Sequence, residues 1–343
     1  MTKQGLKRFE VGSLTFAAPL RGAAMAAEAE AMGYDFQFFG VNDCQTTDVF
    51  TELRMAAEAT EHIGLGTCVA NFLTRHPVVV ASGIAAVQVA SGGRAVCGVG
   101  KGDSSVGRVG LSPQRHDDFV HDLRALCAYL SGGSIELHGV ESRLAWLEES
   151  DYRPVPVEVA ATGPRSLAAA GAHADRVSLA VGADEGRIRW ALEIVRSAAE
   201  AAGRPADAVR IGAHIPLHVD DDRARAIEAL RPSTVGWAHM ASFSPEHVAS
   251  HAPILQKVTS VVHALYDYEH HGYQESNTSP VRHLADDEFV DYYGIAGPAD
   301  YALERLGKLA GLGLEFFTFV AEGEQKQRIA SDIIPSLHAA KSG

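Results

Sequence analysis

The sequence is poor in cysteine, has no excess of positive charge and contains no long apolar run, and each of these shortages excludes a class of protein. Its four cysteines show no CxxC spacing, so neither a disulfide framework nor a structural zinc site is expected. Lys and Arg number 30 against 43 Asp and Glu, a formal net charge of −13, which argues against nucleic acid or an anionic membrane as a partner. No apolar run approaches the roughly 20 residues needed to span a bilayer.

Two further absences narrow the class of protein that this sequence can belong to. The first residues, MTKQGLKRFEVG, lack the apolar core of a signal peptide, so we expect a soluble cytoplasmic protein. The sixteen histidines include no HExxH pattern, and the adjacent His270 and His271 would not share one face of a helix. We therefore predict no metal site.

What the sequence does have is a regular alternation of strand and helix patterns. At 46% apolar content, its 343 residues can bury a large core. Eight strands alternating with helices predict a single α/β domain over residues 1–343, a (β/α)8 TIM barrel. A doubly wound sheet is the alternative, because it shares the alternation but rarely has eight units in one run. The predicted strands are Phe9–Phe16, Tyr34–Phe39, Ile63–Ala70, Arg94–Gly100, Val155–Ala161, Asp175–Val181, Arg210–Val219 and Leu314–Val320.

Two segments depart from this alternation. Gly132 to Pro154 is predicted to form a hairpin or an extended excursion before the fifth strand. Arg231 to Tyr293 is rich in His and Tyr and is predicted to be an insertion before the last β/α unit, with one or two helices. An insertion of this size is typical of a lid or a subunit contact.

Several motifs in order resemble one known family, the bacterial luciferase-like superfamily. They are NFLTRHP at 71–77, SGGR at 91–94, GVGKGDS at 98–104, AATGPRSL at 160–167, GAHADRV at 171–177 and a closing pattern from Gly297 to Phe319. Members of the superfamily are flavin-dependent monooxygenases and coenzyme F420-dependent reductases such as methylenetetrahydromethanopterin reductase. The resemblance spans most of the chain apart from the Arg231 to Tyr293 insertion.

The resemblance implies a fold, a cofactor position and an assembly. It implies a (β/α)8 barrel with an insertion, a cofactor across the carboxyl ends of the strands with its ring in the barrel mouth, and a homodimer. Some members have a non-prolyl cis peptide in the third strand, which by position would join Cys68 and Val69 here. These two residues are therefore predicted to lie against the cofactor.

The loop after the fifth strand is the predicted phosphate site. A helix beginning at about Pro164 would offer free N–H donors and the positive end of its dipole to a cofactor phosphate. The alternative is a plain turn capped by Thr162. The residues of this predicted site are Thr162, Gly163, Pro164, Arg165 and Ser166.

Two more loops supply candidate cofactor residues. Gly100 and Gly102 would let the backbone approach a ring or ribityl chain closely, although the loop lacks the GK[ST] arrangement of a phosphate-binding P-loop. Asp103 argues against direct phosphate contact and could instead cap the next segment. Asn71, after the third strand, could bond to the polar edge of a flavin.

Two residues are candidates for catalysis. Asp43 follows the second strand where several relatives carry an acidic residue followed by His, but Cys44 replaces that His here. A general acid or base at Asp43 would need a pKa raised by burial, and a turn residue is the alternative. His76 is the second candidate, although Arg75 and His76 could equally form a structural cluster.

These features favour a flavin-type oxidoreductase acting on a small organic substrate. Because the FMN branch of the superfamily is broader, we favour a monooxygenase that uses oxygen and reduced FMN supplied by a separate flavin reductase. The alternatives are hydride transfer by coenzyme F420 and a non-catalytic flavin-binding protein. A phosphosugar enzyme would need a Lys/Glu pair at the strand ends, which is not found.

Overall fold

Twelve strands are present in the part of the chain that the computed structural model describes, residues 9–16, 19–205, 207–243, 253–266 and 282–339. All except β5, β6, β10 and β11 form one closed parallel barrel. The barrel closes between β1 and β12, where Glu10 lies opposite Phe316. The predicted (β/α)8 barrel is confirmed, and the doubly wound alternative is wrong. The strands are β1 (Glu10–Phe16), β2 (Phe36–Gly40), β3 (Gly64–Thr67), β4 (Ala95–Val99), β5 (Ser134–Leu137), β6 (Val140–Arg143), β7 (Val157–Ala161), β8 (Arg176–Leu179), β9 (Arg210–His214), β10 (Leu217–Val219), β11 (Ile295–Gly297) and β12 (Phe316–Val320).

Helices follow the barrel strands and pack around them. Several begin at an aspartate whose side chain accepts first-turn N–H bonds, as Asp48 does from Thr51 and Asp184 from Arg187. The helices are α1 (Gly22–Ala31), α2 (Val49–Ala59), α3 (Pro77–Ala90), α4 (Ser104–Gly107), α5 (His116–Leu130), α6 (Pro164–His173), α7 (Glu185–Ala201), α8 (Arg223–His239), α9 (Pro253–Leu265), α10 (Asp287–Tyr293), α11 (Ala299–Ala310), α12 (Gly323–Arg328) and α13 (Ile334–Ala339). A π-helical turn, Ile329–Ile333, joins the last two. No helix among the described residues is apolar over a length that could cross a bilayer.

The two ends of the barrel interior differ in chemistry. At the amino ends of the strands, the buried Arg176 bonds to the buried Glu158 at 2.8 Å and to Glu10 at 3.2 Å. Nearer the carboxyl ends, Leu14, Phe38 and Val96 form an apolar layer. Ion pairs fill the amino end of the barrel interior and apolar side chains fill its middle. A pocket can therefore form at the carboxyl ends of the strands.

The seventh predicted strand is wrong in its second half. β9 ends at His214, and the chain then leaves the barrel: β10 pairs with β11, Leu217 lying opposite Ile295. Pro216 lies between β9 and β10, and because proline has no backbone N–H it cannot donate a hydrogen bond to a neighbouring strand. The helix predicted from Asp221 to Leu230 starts at Arg223 and continues to His239, with Pro232 inside it.

Two smaller boundaries also differ. β3 ends at Thr67, and only Ala70 beyond it forms a bridge, to Val99. The helix predicted from Ser112 begins at His116, and the short α4 precedes it. These differences concern segments next to the strand ends, where side chains rather than periodicity decide the backbone path.

The two predicted excursions are both present in the structure. β5 and β6 form an antiparallel hairpin, as predicted, turning at His138 and Gly139, both of which have positive φ. The predicted insertion before the last β/α unit is confirmed by α8 to α10, which lie between β9 and β12. Its residues 244–252 and 267–281 lie outside the described residues, and the two adjacent histidines His270 and His271 are among them.

Candidate active site

A cavity of about 800 Å³ lies at the carboxyl ends of the barrel strands. Its walls come from the ends of the strands, among them β1, β7, β9 and β12, from the loops after β3, β4 and β7, and from α8 in the insertion. This volume falls within the range typical of pockets for cofactors and small molecules. The cavity is the candidate active site.

Ten of the eleven residues predicted to bind a cofactor line this cavity, although they come from three separate loops. The exception is Asn71, which is buried and whose side-chain oxygen accepts the N–H groups of Leu73 and Thr74. Asn71 therefore shapes the loop after β3. The other roles stay predictions that the geometry permits. The residues that line the cavity are Cys68, Val69, Gly100, Gly102, Asp103, Thr162, Gly163, Pro164, Arg165 and Ser166.

The peptide bond between Cys68 and Val69 is cis, as the resemblance implied. Two glycines let β4 and its loop pass close to this segment. A Cβ on Gly98 would lie 2.0 Å from the carbonyl oxygen of Thr67, and a Cβ on Gly100 would lie 2.9 Å from a methyl group of Val69. The wall is thus formed by backbone in close contact, where no side chain fits.

The wall after β7 presents the start of a helix. α6 begins at Pro164, its N-cap Gly163 has no side-chain cap bond, and the first-turn N–H groups of Arg165 and Ser166 have no acceptor earlier in the helix. Thr162 does not cap the helix, so the alternative of a plain capped turn is not what forms. The Arg165 side chain is mostly exposed and lies 3.3 Å from Asp117. This wall suits an anionic group.

The two predicted catalytic residues lie outside the cavity lining. Asp43 pairs with Arg75 at 2.6 Å, and Asp48 pairs with the same guanidinium at 2.7 Å. Arg75 therefore holds two loops together, which agrees with a structural cluster. His76 is exposed and caps α3 by accepting the N–H of Val78 through Nδ1. Catalysis by Asp43 or His76 stays a prediction.

His214, at the end of β9, is a lining residue that sequence reasoning missed. It is only 2% exposed, and burial lowers its pKa to about 4, so the imidazole is neutral at pH 7. Its Nδ1 has no hydrogen-bond partner among the described residues, and its ring lies 5.4 Å from that of Trp237 in α8. The only signal in the sequence was a histidine directly before Ile215 and Pro216, where the barrel strand ends. The predicted seventh strand continued past this point.

A second missed feature joins the insertion to the glycine loop. Asp103 makes no side-chain cap bond to α4; its carboxylate lies 3.3 Å from Nε2 of the fully buried His239. The His239 ring in turn stacks on Tyr266, with 3.7 Å between the ring centroids. Asp103 and Tyr266 both line the cavity. The insertion thus closes one side of the site and contacts the loop predicted to approach the cofactor.

The opposite rim carries a polar contact between β10 and α12. Nε2 of Gln325 lies 3.2 Å from Nε2 of His218, and the Gln325 side-chain oxygen accepts the N–H of Val219. Burial lowers the pKa of His218. No group of three or more His, Cys, Asp or Glu side chains in the described ranges is arranged to hold a metal ion.

Comparison with known proteins adds independent information. The family described as "Luciferase-like monooxygenase" matches residues 8–315. The 5,10-methylenetetrahydromethanopterin reductase of Methanopyrus kandleri is 26% identical over 317 residues, which are 86% of this chain and 87% of the relative. The F420-dependent glucose-6-phosphate dehydrogenase of Beutenbergia cavernae is 30% identical over 214 residues, 59% of this chain and 62% of the relative.

A solved structure shares the fold. The coenzyme F420-dependent tetrahydromethanopterin reductase from Methanopyrus kandleri superposes with a TM-score of 0.77 at 22% identity, covering 96% of this chain and 99% of that one. The likeness extends over both the barrel and the insertion.

Proposed function

The chain belongs to the luciferase-like monooxygenase family, and on that premise we propose that it is an F420-dependent oxidoreductase that transfers hydride between its cofactor and a small organic substrate. The sequence alone favoured reduced FMN, because that branch of the family is broader. The names of two similar proteins instead favour F420: the glucose-6-phosphate dehydrogenase of Beutenbergia cavernae and the tetrahydromethanopterin reductase structure from Methanopyrus kandleri are both called F420-dependent. Both cofactors serve oxidoreductases, and the proposal concerns which one this chain uses and therefore whether it transfers hydride or uses oxygen.

The observation that carries the proposal is the pairing of two walls in one cavity. One wall is the segment of Cys68, Val69 and Gly100, against which β4 and its glycine loop pack so closely that a Cβ on Gly100 would clash with Val69. The other wall is the amino end of α6, whose N–H groups and Arg165 suit a phosphate. The residues present therefore fit a tricyclic ring that continues into an anionic chain.

When bound, F420 supplies a carbon that accepts or donates hydride. The protein's own residues bind, orient and exclude water. Leu14, Trp237 and Val320 give the cavity apolar walls that displace solvent from the reacting atoms. Thr162, Arg165 and Ser166 would hold the phosphate end of the cofactor and thereby restrict the position of its ring.

The centre of the cavity offers polar groups without charge. Burial keeps the His214 imidazole neutral at pH 7, and burial likewise raises the pKa of the Cys68 thiol. A neutral imidazole can accept or donate one hydrogen bond to a substrate oxygen or nitrogen. These two side chains favour an uncharged reacting group, because neither of them carries a charge at pH 7 that would stabilise an ion.

The test is equilibrium binding of F420 and FMN, each oxidised and reduced, followed by fluorescence quenching on the purified protein. Tight binding of F420 with weak binding of FMN is the expected result. Preference for reduced FMN would replace the proposal with an oxygen-dependent monooxygenase that needs a flavin reductase. Binding of neither would overturn both.

A further inference from the structure

Lys101 and Arg165 line the cavity rim beside the start of α6, and His116 lies close enough to both that their charges add to the effect of burial in lowering its pKa. Lys101 belongs to the glycine loop after β4, His116 is the first residue of α5, and Arg165 is the second residue of α6. Two contacts fix their relative positions: the carbonyl of Lys101 accepts the N–H of Gln114 at 2.8 Å, and Arg165 lies 3.3 Å from Asp117. The loop and both helix starts are thus joined at one point.

At pH 7 the positive charge of this cluster is carried by Lys101 and Arg165, while the His116 imidazole, whose pKa is lowered, is neutral. Burial, and then the charge of Arg165, lower the pKa of Lys101, and no carboxylate opposes them. Burial, Arg165 and Lys101 lower the pKa of His116, against which Asp117 alone acts. The Nδ1 atom of His116 is buried and has no hydrogen-bond partner among the described residues. The two cations are stabilised when an anion joins them, and the neutral imidazole of His116 can donate one hydrogen bond to that anion.

We propose that Lys101 and His116, together with Arg165, form a second anion subsite, which binds the acidic tail of the cofactor beyond its phosphate. This inference rests on the proposed function and deepens it. FMN ends at its phosphate, whereas F420 continues through a phosphodiester into a chain bearing carboxylates. The cluster would therefore select F420 over FMN by charge, at a distance from the ring.

The path by which the acidic tail of the ligand would leave the pocket supports this assignment. Lys101 and Arg165 both line the cavity, so a ligand whose phosphate lies at the start of α6 leaves the pocket between them. The overall charge of −13 repels an acidic tail elsewhere on the surface. Ion pairs at a half-exposed rim are screened by salt, so each is worth about a threefold to tenfold change in affinity at low ionic strength.

The experiment compares two ligands against four proteins. The ligands are F420 and its deazaflavin chromophore with the ribityl chain but without phosphate and tail. The proteins are the wild type, Lys101→Met, His116→Gln and the control Lys308→Met, which makes the same charge change on the outer helix α11, where Lys308 pairs with Glu304. Dissociation constants are measured by fluorescence quenching in low and in high salt.

Lys101→Met is expected to weaken F420 binding about threefold to tenfold in low salt and to lose less in high salt. His116→Gln, which replaces a neutral imidazole, should weaken it by about threefold at both salt concentrations. Both variants should leave chromophore binding unchanged. Lys308→Met should bind both ligands like the wild type. Wild-type F420 affinity in both rim variants, or equal losses for the two ligands, would overturn the subsite while leaving the proposed function intact. A wild-type protein that binds neither ligand would overturn both together.

Discussion

The Nε2 atom of His214 lies 3.7 Å from the Sγ atom of Cys68, across the barrel mouth between β9 and the segment that follows β3. The two residues are 146 positions apart in the chain. Burial favours the neutral form of both, lowering the pKa of His214 and raising that of Cys68. The mouth therefore holds a polar pair that carries no charge at pH 7.

The first prediction is that His214 makes the protein less stable in mild acid. The unfolded chain protonates this histidine near pH 6.5 and the native protein only near pH 4, so unfolding takes up a proton between those values. The free energy of unfolding should fall across that window by about 3 kcal/mol more in the wild type than in His214→Asn. Urea unfolding of both proteins at pH 7, 6, 5 and 4.5 measures the difference. Parallel losses in the two proteins would contradict it.

The second prediction concerns the ion pair at the bottom of the barrel. Glu158→Gln removes the carboxylate that bonds to Arg176 at 2.8 Å and leaves a buried guanidinium with Glu10 as its remaining partner. The free energy of unfolding should fall by about 3 kcal/mol, measured by urea unfolding at pH 7. Glu304→Gln, which removes the exposed pair with Lys308, is the control and should match the wild type. A small loss in Glu158→Gln would mean that Glu10 alone balances the charge.

The third prediction separates binding from folding at the start of α6. Arg165→Ala should weaken F420 binding about tenfold, because a charge-assisted contact to the phosphate is lost. Folding should be unaffected, since the side chain is mostly exposed and its one ion pair is with the exposed Asp117. Fluorescence titration and thermal melting test the two parts. Arg189→Ala, on the outer helix α7, is the matched control, and unchanged affinity in Arg165→Ala would remove the phosphate site.

The fourth prediction distinguishes capping from catalysis at His76. The side chain caps α3, so His76→Ala should lower the free energy of unfolding by about 1 kcal/mol, while His76→Asn, which can cap equally well, should restore it. Turnover should stay at the wild-type level in the Asn variant. Loss of turnover in both variants, with stability restored in His76→Asn, would instead support the catalytic role.

The sequence predicts the parts of this site that depend on local pattern. Thr162 to Ser166 could be identified because a buried strand, a glycine and a proline follow one another, and that order alone predicts a helix start at a strand end. The barrel followed from the same kind of signal repeated eight times. In both cases the deciding interactions lie within a few residues of each other.

The parts that were missed depend on contacts between distant residues. His239 reaches Asp103 only because α8 continues past Pro232, and no local signal indicates that a helix will cross a proline. Asp43 was placed at the correct strand end, but its direction is set by Arg75, from another loop. The position of a residue directly after a strand therefore predicted that it lies at the rim of the barrel. Its side-chain partner decided whether the side chain faces the cavity.

The pairing of β10 with β11 has a consequence for how this protein could change over time. Val219 lies opposite Gly297 in a parallel pair. The segment between β10 and β11 therefore begins and ends on neighbouring strands, about 5 Å apart. Everything between these two points can be exchanged, lengthened or shortened without altering the hydrogen bonds that close the barrel. Replacing this segment can then change the substrate pocket while the walls that follow β3, β4 and β7 keep their backbone.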